Sequence, residues 1–274
     1  MAELLSGERI AKEILEQLKA EITPNTLGIS VVQVGKNTVS ESYIQKKKKA
    51  AEDLGIRFFL YRFPEIIKKE ELRDGLEKIL ESSRTGGMII QLPLPSHLPM
   101  QEILDLIPIS RDIDILSSEA FGKFALGSLP ILPPTVGAIS SLFKAYKISV
   151  AGKRVAIVGT GRLVGLPVAL WLMRAKATVS ALNSFTPRIS QFTKQADIII
   201  SGTGKRGIIK GNMIKQGAIL VDAGTSVEGG AAKGDVDFKS VSRKAAAITP
   251  VPGGIGPLTV ACLLKNLVVL SQTK

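Results

Sequence analysis

Short apolar runs of strand length alternate with longer stretches of helical periodicity along most of this chain, and no other property narrows the fold as far. Residues 6–22 carry Ile10, Ile14 and Leu18 at helical spacing. Residues 27–34 (LGISVVQV) read as a buried strand and residues 40–54 as a helix. Ser40 and Ser42 are both candidate N-caps, Ser42 forming a capping box with Gln45, and Gly55 stands where a helix stop belongs. A strand over 57–62, a helix over 68–81 and a strand over 88–91 complete a β-α-β-α-β series. Such a series puts its strands in a parallel sheet with helices on the faces. A second series follows: helices over 135–146 and 163–175, strands over 154–158, 178–182, 197–200, 218–221 and 246–248, and a closing helix over 258–270. The Pro-rich stretch 129–134 lies near the junction. The expected fold class is α/β with parallel sheets, and 274 residues admit one large domain or two modest ones.

Composition removes several function classes. With 45% hydrophobic and 22% charged residues the chain is ordinarily globular, so global disorder is not expected. One cysteine, Cys262, and one histidine, His97, exclude an internal disulfide, a Cys-rich metal cage and a multi-His site. No apolar run approaches the ~20 residues that span a bilayer. The first residues include acids and lack an apolar core, so no export signal is read. A reducing cytosol fits these features. The formal charge of +12 admits three explanations: nucleic acid, a solvated basic surface, or a small polyanionic substrate drawn in by a positive field. Zinc-finger spacing and RNP-type aromatic patterns are missing and aromatics are only 5%, so nothing supports the first.

The second series contains a glycine-rich turn, VAIVGTGRLVG at 155–165, between a strand and a helix. Gly159, Gly161 and Gly165 are spaced one residue longer than the usual dinucleotide fingerprint, but the logic holds. Gly159 permits a tight turn, Gly161 lets a pyrophosphate approach the backbone, and the helix N-terminus offers N–H groups to the anion. The alternative is a purely structural glycine loop. The strand over 178–182 lacks the acid that binds the ribose hydroxyls of NAD, and Asn183, Ser184, Thr186 and Arg188 follow instead. A neutral or basic strand end favours a 2′-phosphate, hence NADP, with NAD still possible.

In the first series Tyr43 and Lys47 are four residues apart and share one helix face. Consecutive helical residues point about 100° apart, so at most one or two of the lysines at 46–49 can face a cleft. The others form a solvated basic face. A partly desolvated lysine among lysines has a lowered pKa and can act as a base near neutrality. Three further segments look too specific for scaffold. Gln91 ends a strand before the double-proline turn at 92–95, Asp112 and Asp114 share a loop, and TPVPGGIGPLT at 249–259 fixes a rigid backbone path. As plain structure, the acids would cap a helix or turn and the proline segment would be a connector.

Taken together, these segments resemble the bifunctional methylenetetrahydrofolate dehydrogenase/cyclohydrolase family over nearly the whole chain. The resemblance runs through SESY at 40–43 with Lys47, QLPLP at 91–95, DID at 112–114, GK at 152–153, VG at 164–165 with Pro167, GDVD at 234–237 and PVPGGIGP at 250–257. It implies an N-terminal three-layer catalytic domain over 1–125, closed by a C-terminal helix over 257–274, and a Rossmann-type domain over 126–256. It implies Lys47 as the catalytic lysine held by Gln91, Tyr43 near the folate ring, Asp114 on the pterin, and Pro252, Gly253 and Gly254 lining the substrate cleft. Cofactor contacts would fall on Gly159, Thr160, Gly161, Arg162, Leu163, Val164, Ser184 and Thr225. It also implies oxidation of methylenetetrahydrofolate by NADP, hydrolysis of the methenyl product, a polyglutamylated folate and a homodimer, while composition points to a cytoplasmic protein with no metal, nucleic acid or membrane.

The chain departs from the family pattern at several places. Thr160 and Gly161 replace an Arg-Ser pair, Asn183 replaces a histidine, Ile115 a glycine and Ala120 an asparagine, and PPTV at 133–136 replaces PCTP. Two alternatives stay open at this point: an enzyme retaining one half-reaction, and a non-catalytic nucleotide- or nucleic-acid-binding protein.

Overall fold

The computed structural model describes residues 2–82, 84–228 and 231–272. The first half contains β1 (Glu3–Leu4), α1 (Glu8–Glu21), β2 (Gly28–Val34), α2 (Thr38–Asp53), β3 (Arg57–Phe63), α3 (Lys69–Glu81), β4 (Gly87–Ile90), α4 (Met100–Leu104) and α5 (Ser118–Leu126). The second half contains α6 (Pro134–Ala145), β5 (Arg154–Val158), α7 (Gly165–Arg174), β6 (Thr178–Leu182), α8 (Ser190–Thr193) and β7 (Ile198–Ser201). It continues with β8 (Ile219–Asp222), β9 (Ser226–Glu228), β10 (Ala231–Lys233), α9 (Phe238–Val241), β11 (Ala247–Ile248) and α10 (Ile255–Gln272).

The chain divides into two compact units, Glu13–Pro134 with Val260–Lys274, and Met1–Lys12 with Thr135–Thr259. In the first, β2 is the centre of a three-stranded parallel sheet in the order β3-β2-β4. Every residue of β2 is buried, as expected of a strand covered on both faces. Val32 and Val34 pack with Leu72, Leu76 and Ile79 of α3 and Ile103 and Leu104 of α4. Strand alternation sends Ile29, Val31 and Gln33 to the other face.

Helix α2 starts earlier than its serines suggest. Asn37, in extended conformation, is the N-cap, and its side chain accepts a hydrogen bond from the Ser40 N–H at 3.0 Å. Ser40 and Ser42 lie inside the helix, because the asparagine upstream already satisfies the first-turn donors. Gly55, at φ +72°, stands just past the C-cap Leu54, where the left-handed conformation suits glycine.

The second unit holds a six-stranded sheet in the order β1-β11-β8-β7-β5-β6, with every neighbouring pair parallel. Strands β9 and β10 form a separate antiparallel pair. Strand β5 lies between β6 and β7, so successive crossovers leave it in opposite directions. That reversal creates the crevice at strand C-terminal ends where α/β folds bind ligands.

The outer strand β1 comes from the N-terminus, so residues 2–12 pack with the unit that follows far along the sequence. Tyr146 fastens this start: its hydroxyl oxygen accepts from the Ser6 N–H at 2.9 Å. A two-residue strand has no period to read, which is why the boundaries drawn from sequence place these residues elsewhere. Helix α10 is long and apolar enough to cross a membrane by length and composition, but 61% of that stretch is buried inside the protein, as in a core helix.

Candidate active site

On α2, Ser40, Ile44 and Ala51 are buried, and Lys47 falls in the same stripe at the 4-3-4 spacing of one helical face. Lys46, Lys48 and Lys49 point outward, with Lys48 3.8 Å from Glu52. One lysine of the run therefore faces inward, in agreement with the geometric limit set by the sequence. Its Nζ donates to Gln91 Oε1 at 3.0 Å. Gln91 follows β4 and is anchored twice: its backbone N–H donates to the Val32 carbonyl at 2.8 Å, and Nε2 donates to the Leu92 carbonyl at 3.0 Å. Ser40 Oγ donates to that same carbonyl at 3.1 Å, which ties α2 to the turn after β4. Tyr43 is half-buried one turn before Lys47, with Lys46 Nζ 5.5 Å from its ring centroid.

Burial lowers the pKa of Lys47, opposed by the negative charge of Asp114. The residue as a whole is half-buried, and its amine is the part that burial disfavours in the charged form. Burial raises the pKa of Asp114, with Lys47 pulling it down and Asp112 pushing it up. Both groups are thus shifted toward their neutral forms, and their protons are coupled. Asp112 has a different job. It is buried, and its Oδ2 accepts from the N–H groups of Leu116 at 3.0 Å and Ser117 at 2.8 Å, so it is a loop-capping acid.

Two features of this loop escape a sequence reading. Ile115 is buried in the left-handed region at φ +58°, a conformation costly for a β-branched residue and easy for the glycine of the family pattern. Asn266 of α10 is buried and donates to the carbonyls of Ile113 at 2.9 Å and Leu132 at 2.8 Å. An asparagine inside an apolar helix pattern is the signal that could have found it, since a buried amide needs partners.

In the other unit the glycine turn closes on itself. The Gly159 N–H donates to the Leu182 carbonyl at 2.8 Å, and at φ +98° a side chain there would be strained and would meet the Gly202 carbonyl oxygen at 2.7 Å. A Cβ on Gly165 would collide with the Gly159 carbonyl, so this glycine lets α7 pack on the turn. Gly161 faces open space, which leaves its backbone free for a ligand to approach. Helix α7 begins at Gly165, two residues later than the pattern suggests; Thr160, Gly161 and Leu163 stay exposed and Arg162 and Val164 half-buried.

Beyond β6, Asn183 folds the chain back. Its Oδ1 accepts from the Phe185 N–H at 2.9 Å, and its own N–H donates to Thr186 Oγ1 at 3.0 Å, leaving Ser184 exposed at the bend. A cavity of about 570 Å³ opens there, lined by Thr186, Arg188, Ser190, Lys210 and Asn212 among others, with no carboxylate in its wall. A second cavity of about 590 Å³ is lined by Arg206, Lys210, Lys233, Lys239, Asp222 and Thr249 among others. Thr225 is half-buried just past β8. Pro252, Gly253 and Gly254 also belong to this unit, not to the one holding Lys47. The Gly253 carbonyl accepts from the Gly7 N–H at 2.8 Å, and a Cβ on Gly7 would strike the Gly254 carbonyl.

These two constellations coincide with two family models, the tetrahydrofolate dehydrogenase/cyclohydrolase catalytic domain over residues 5–114 and the NAD(P)-binding domain of the same family over residues 133–274. The chain belongs to the tetrahydrofolate dehydrogenase/cyclohydrolase family. Among curated relatives, the bifunctional protein FolD of Aquifex aeolicus is 40% identical over 97% of this chain and 94% of its own length. Among solved members of the family, the FolD enzyme of Campylobacter jejuni superposes with a TM-score of 0.93 at 37% identity, over 100% of this chain and 99% of its own. The Trypanosoma brucei FolD enzyme, solved in complex with NADP cofactor and an inhibitor, gives a TM-score of 0.93 at 33% identity, over 99% of this chain and 98% of its own.

Proposed function

We propose that this chain oxidises 5,10-methylenetetrahydrofolate to the methenyl form with NADP and hydrolyses that product to 10-formyltetrahydrofolate. The observation that carries the reading is the inward lysine of α2, its pKa lowered by burial and its Nζ held 3.0 Å from Gln91 Oε1. In hydrolysis, neutral Lys47 takes a proton from water as the water oxygen bonds to the methenyl carbon. The ammonium so formed returns a proton to the ring nitrogen as the carbon–nitrogen bond breaks, and the hydroxyl proton of the adduct is released to solvent, leaving the formyl group on the other nitrogen. Gln91 holds one N–H of the amine and so aims its lone pair. Tyr43 offers a ring face to the flat substrate, Asp114 a hydrogen-bonding carboxyl to the pterin edge, and Pro252, Gly253 and Gly254 a rigid wall.

The second unit fits a dinucleotide. Bare backbone at Gly161 precedes the N-terminus of α7, and Gly159, Thr160, Arg162, Leu163, Val164, Ser184 and Thr225 lie on the turns around it. When bound, the nicotinamide supplies the acceptor for the hydride leaving the methylene carbon. The cavity after β6 favours NADP over NAD, because it offers Arg188 and Lys210 to a 2′-phosphate and no acid to a 2′-hydroxyl.

Three further readings accompany this one. A cytoplasmic setting fits the single, buried cysteine. A polyglutamylated folate fits the +12 charge. A homodimer fits the edge strand β6 beside exposed Leu166 and Met173 of α7. The test is to follow reduced nicotinamide and the methenyl chromophore with methylenetetrahydrofolate and each coenzyme. Turnover faster with NADP than with NAD, followed by decay of the methenyl signal, is the expected outcome. No turnover with either coenzyme overturns the proposal.

A further inference from the structure

Gln33 is the most anomalous polar residue of the unit that holds Lys47. It lies in the central strand β2, is 2% exposed, and both its amide oxygen and its amide nitrogen are buried without a hydrogen-bond partner. A strand otherwise filled with Ile and Val gains nothing in packing from such a group, since a buried amide left unpaired is costly.

Its surroundings give it a direction. Gln33 pairs in register with Arg62 of β3, and Gln91 follows the Val32–Ile90 pair as the next residue along β4. Residues in register on parallel strands point to one face, so Arg62, Gln33 and Gln91 form a row across the sheet. The outer two reach the same helix: Arg62 bonds Glu41 of α2 at 3.2 Å, and Gln91 accepts from Lys47 of α2 at 3.0 Å. Glu41 and Lys47 are separated by about 9 Å of helix, and their partners by two strand spacings, about 10 Å. Gln33 therefore lies beneath the helix between the two contacts, one strand spacing from Gln91.

We propose that Gln33 is a positioning residue for Lys47, acting through the carboxamide of Gln91. Gln91 spends one Nε2 hydrogen on the Leu92 carbonyl and has a second to give. That bond is not made in the resting structure; a turn of the Gln33 side chain that brings its carbonyl to this second hydrogen fixes Nε2 toward β2 and Oε1 toward Lys47. That orientation matters because a flipped Gln91 would donate Nε2–H to the neutral amine and occupy the lone pair that hydrolysis needs. The proposal rests on Lys47 as the base of hydrolysis, and its controls keep the two apart.

The experiment uses the full chain with Gln33→Met, Gln91→Met, the double variant and Lys47→Met, each assayed for methenyl hydrolysis across pH and for thermal unfolding. Gln33→Met is similar in size and removes the unpaired amide, so its melting temperature should rise or hold. Its hydrolysis rate should fall about tenfold, the effect of one hydrogen bond on a rate, and its pH profile should shift. In the Gln91→Met background the same change should have no further effect on hydrolysis. Gln33→Glu, which keeps an acceptor oxygen, should recover part of the rate. Full hydrolysis and an unmoved pH profile in a stable Gln33→Met protein would overturn the inference while leaving Lys47 in place. Additive losses in the double variant would also overturn it. Normal hydrolysis by Lys47→Met would instead remove the reading on which it depends.

Discussion

Lys47 sits in the buried stripe of a 16-residue helix, with its amine held by a glutamine at a strand end. The turn at 159–165 presents bare backbone, with Thr160, Gly161 and Leu163 exposed. In the first region the chemistry belongs to side chains and cannot be moved without repacking a helix on a sheet. In the second, much of the binding belongs to the main chain, which any sequence able to make the turn can supply. This accounts for the departures in the coenzyme turn, though not for those at Ile115 and Ala120 in the first unit. Tyr43, Lys47, Gln91 and Asp114 match the family pattern, whereas positions 160, 161 and 183 are rewritten. Charge for the coenzyme can come from other loops, such as Arg188 and Lys210, because a phosphate accepts donors from many directions.

The comparison can be broken most severely at Lys47. Lys47→Met should lower methenyl hydrolysis by about 10²–10⁴-fold, the usual contribution of a positioned acid–base group, while coenzyme affinity measured by calorimetry stays unchanged. Loss of coenzyme binding in that variant would mean the two regions are not separable.

The second unit buries two acids, Asp222 and Asp235, and the titration of Asp222 tests whether that unit is as permissive as it looks. Burial pushes Asp222 from an ordinary 3.8 up to about 6, against the hydrogen bonds it accepts from the N–H groups of Val236, Asp235 and Gly224. An acid whose folded pKa is raised binds its proton more tightly folded than unfolded. Its contribution is therefore present at low pH and is lost as pH rises from about 4 through 6. The stability of the wild type relative to Asp222→Asn should fall by on the order of 3 kcal/mol across that window, read by denaturant unfolding at each pH. A flat difference would place the proton elsewhere.

A smaller effect sharpens the coenzyme side. Arg188→Ala and Lys210→Ala should each weaken binding of 2′-phosphorylated adenosine diphosphate by about tenfold, the scale of one charged hydrogen bond, and leave adenosine diphosphate unaffected. Equal losses for both ligands would place the 2′-phosphate outside this cavity. The smallest effect is expected at Lys46, Lys48 and Lys49, whose replacement by glutamine should change stability by less than about 0.5 kcal/mol and leave hydrolysis intact. A large loss there would mean that the outward lysines take part in the site.

How much of this was legible beforehand depended on range along the chain. The αβ alternation, the strand β5 and the helix face shared by Tyr43 and Lys47 are written in local periodicity, so sequence alone reached them. Motif order along the chain carried the family. Asn37 was missed as a cap because two serines downstream fit the same pattern, and cap choice depends on backbone angles that composition does not record. Asp112 and Asp114 look alike in sequence; only the fold turns the first toward the Leu116 and Ser117 N–H groups and leaves the second to interact with Lys47.

By itself, then, the sequence determined the class of fold, the family and the one helix on which a base could stand. The tertiary structure decided which lysine turns inward, that residues 3–4 add an edge strand to the six-stranded sheet, that Ile115 bears a left-handed backbone, and that Gln33 lies unpaired in the row leading to Gln91. Apart from the backbone angle at Ile115, each of these is a relation between residues distant in sequence. Burial, desolvation and strand register arise only when the chain has brought such residues together, and no local pattern encodes them.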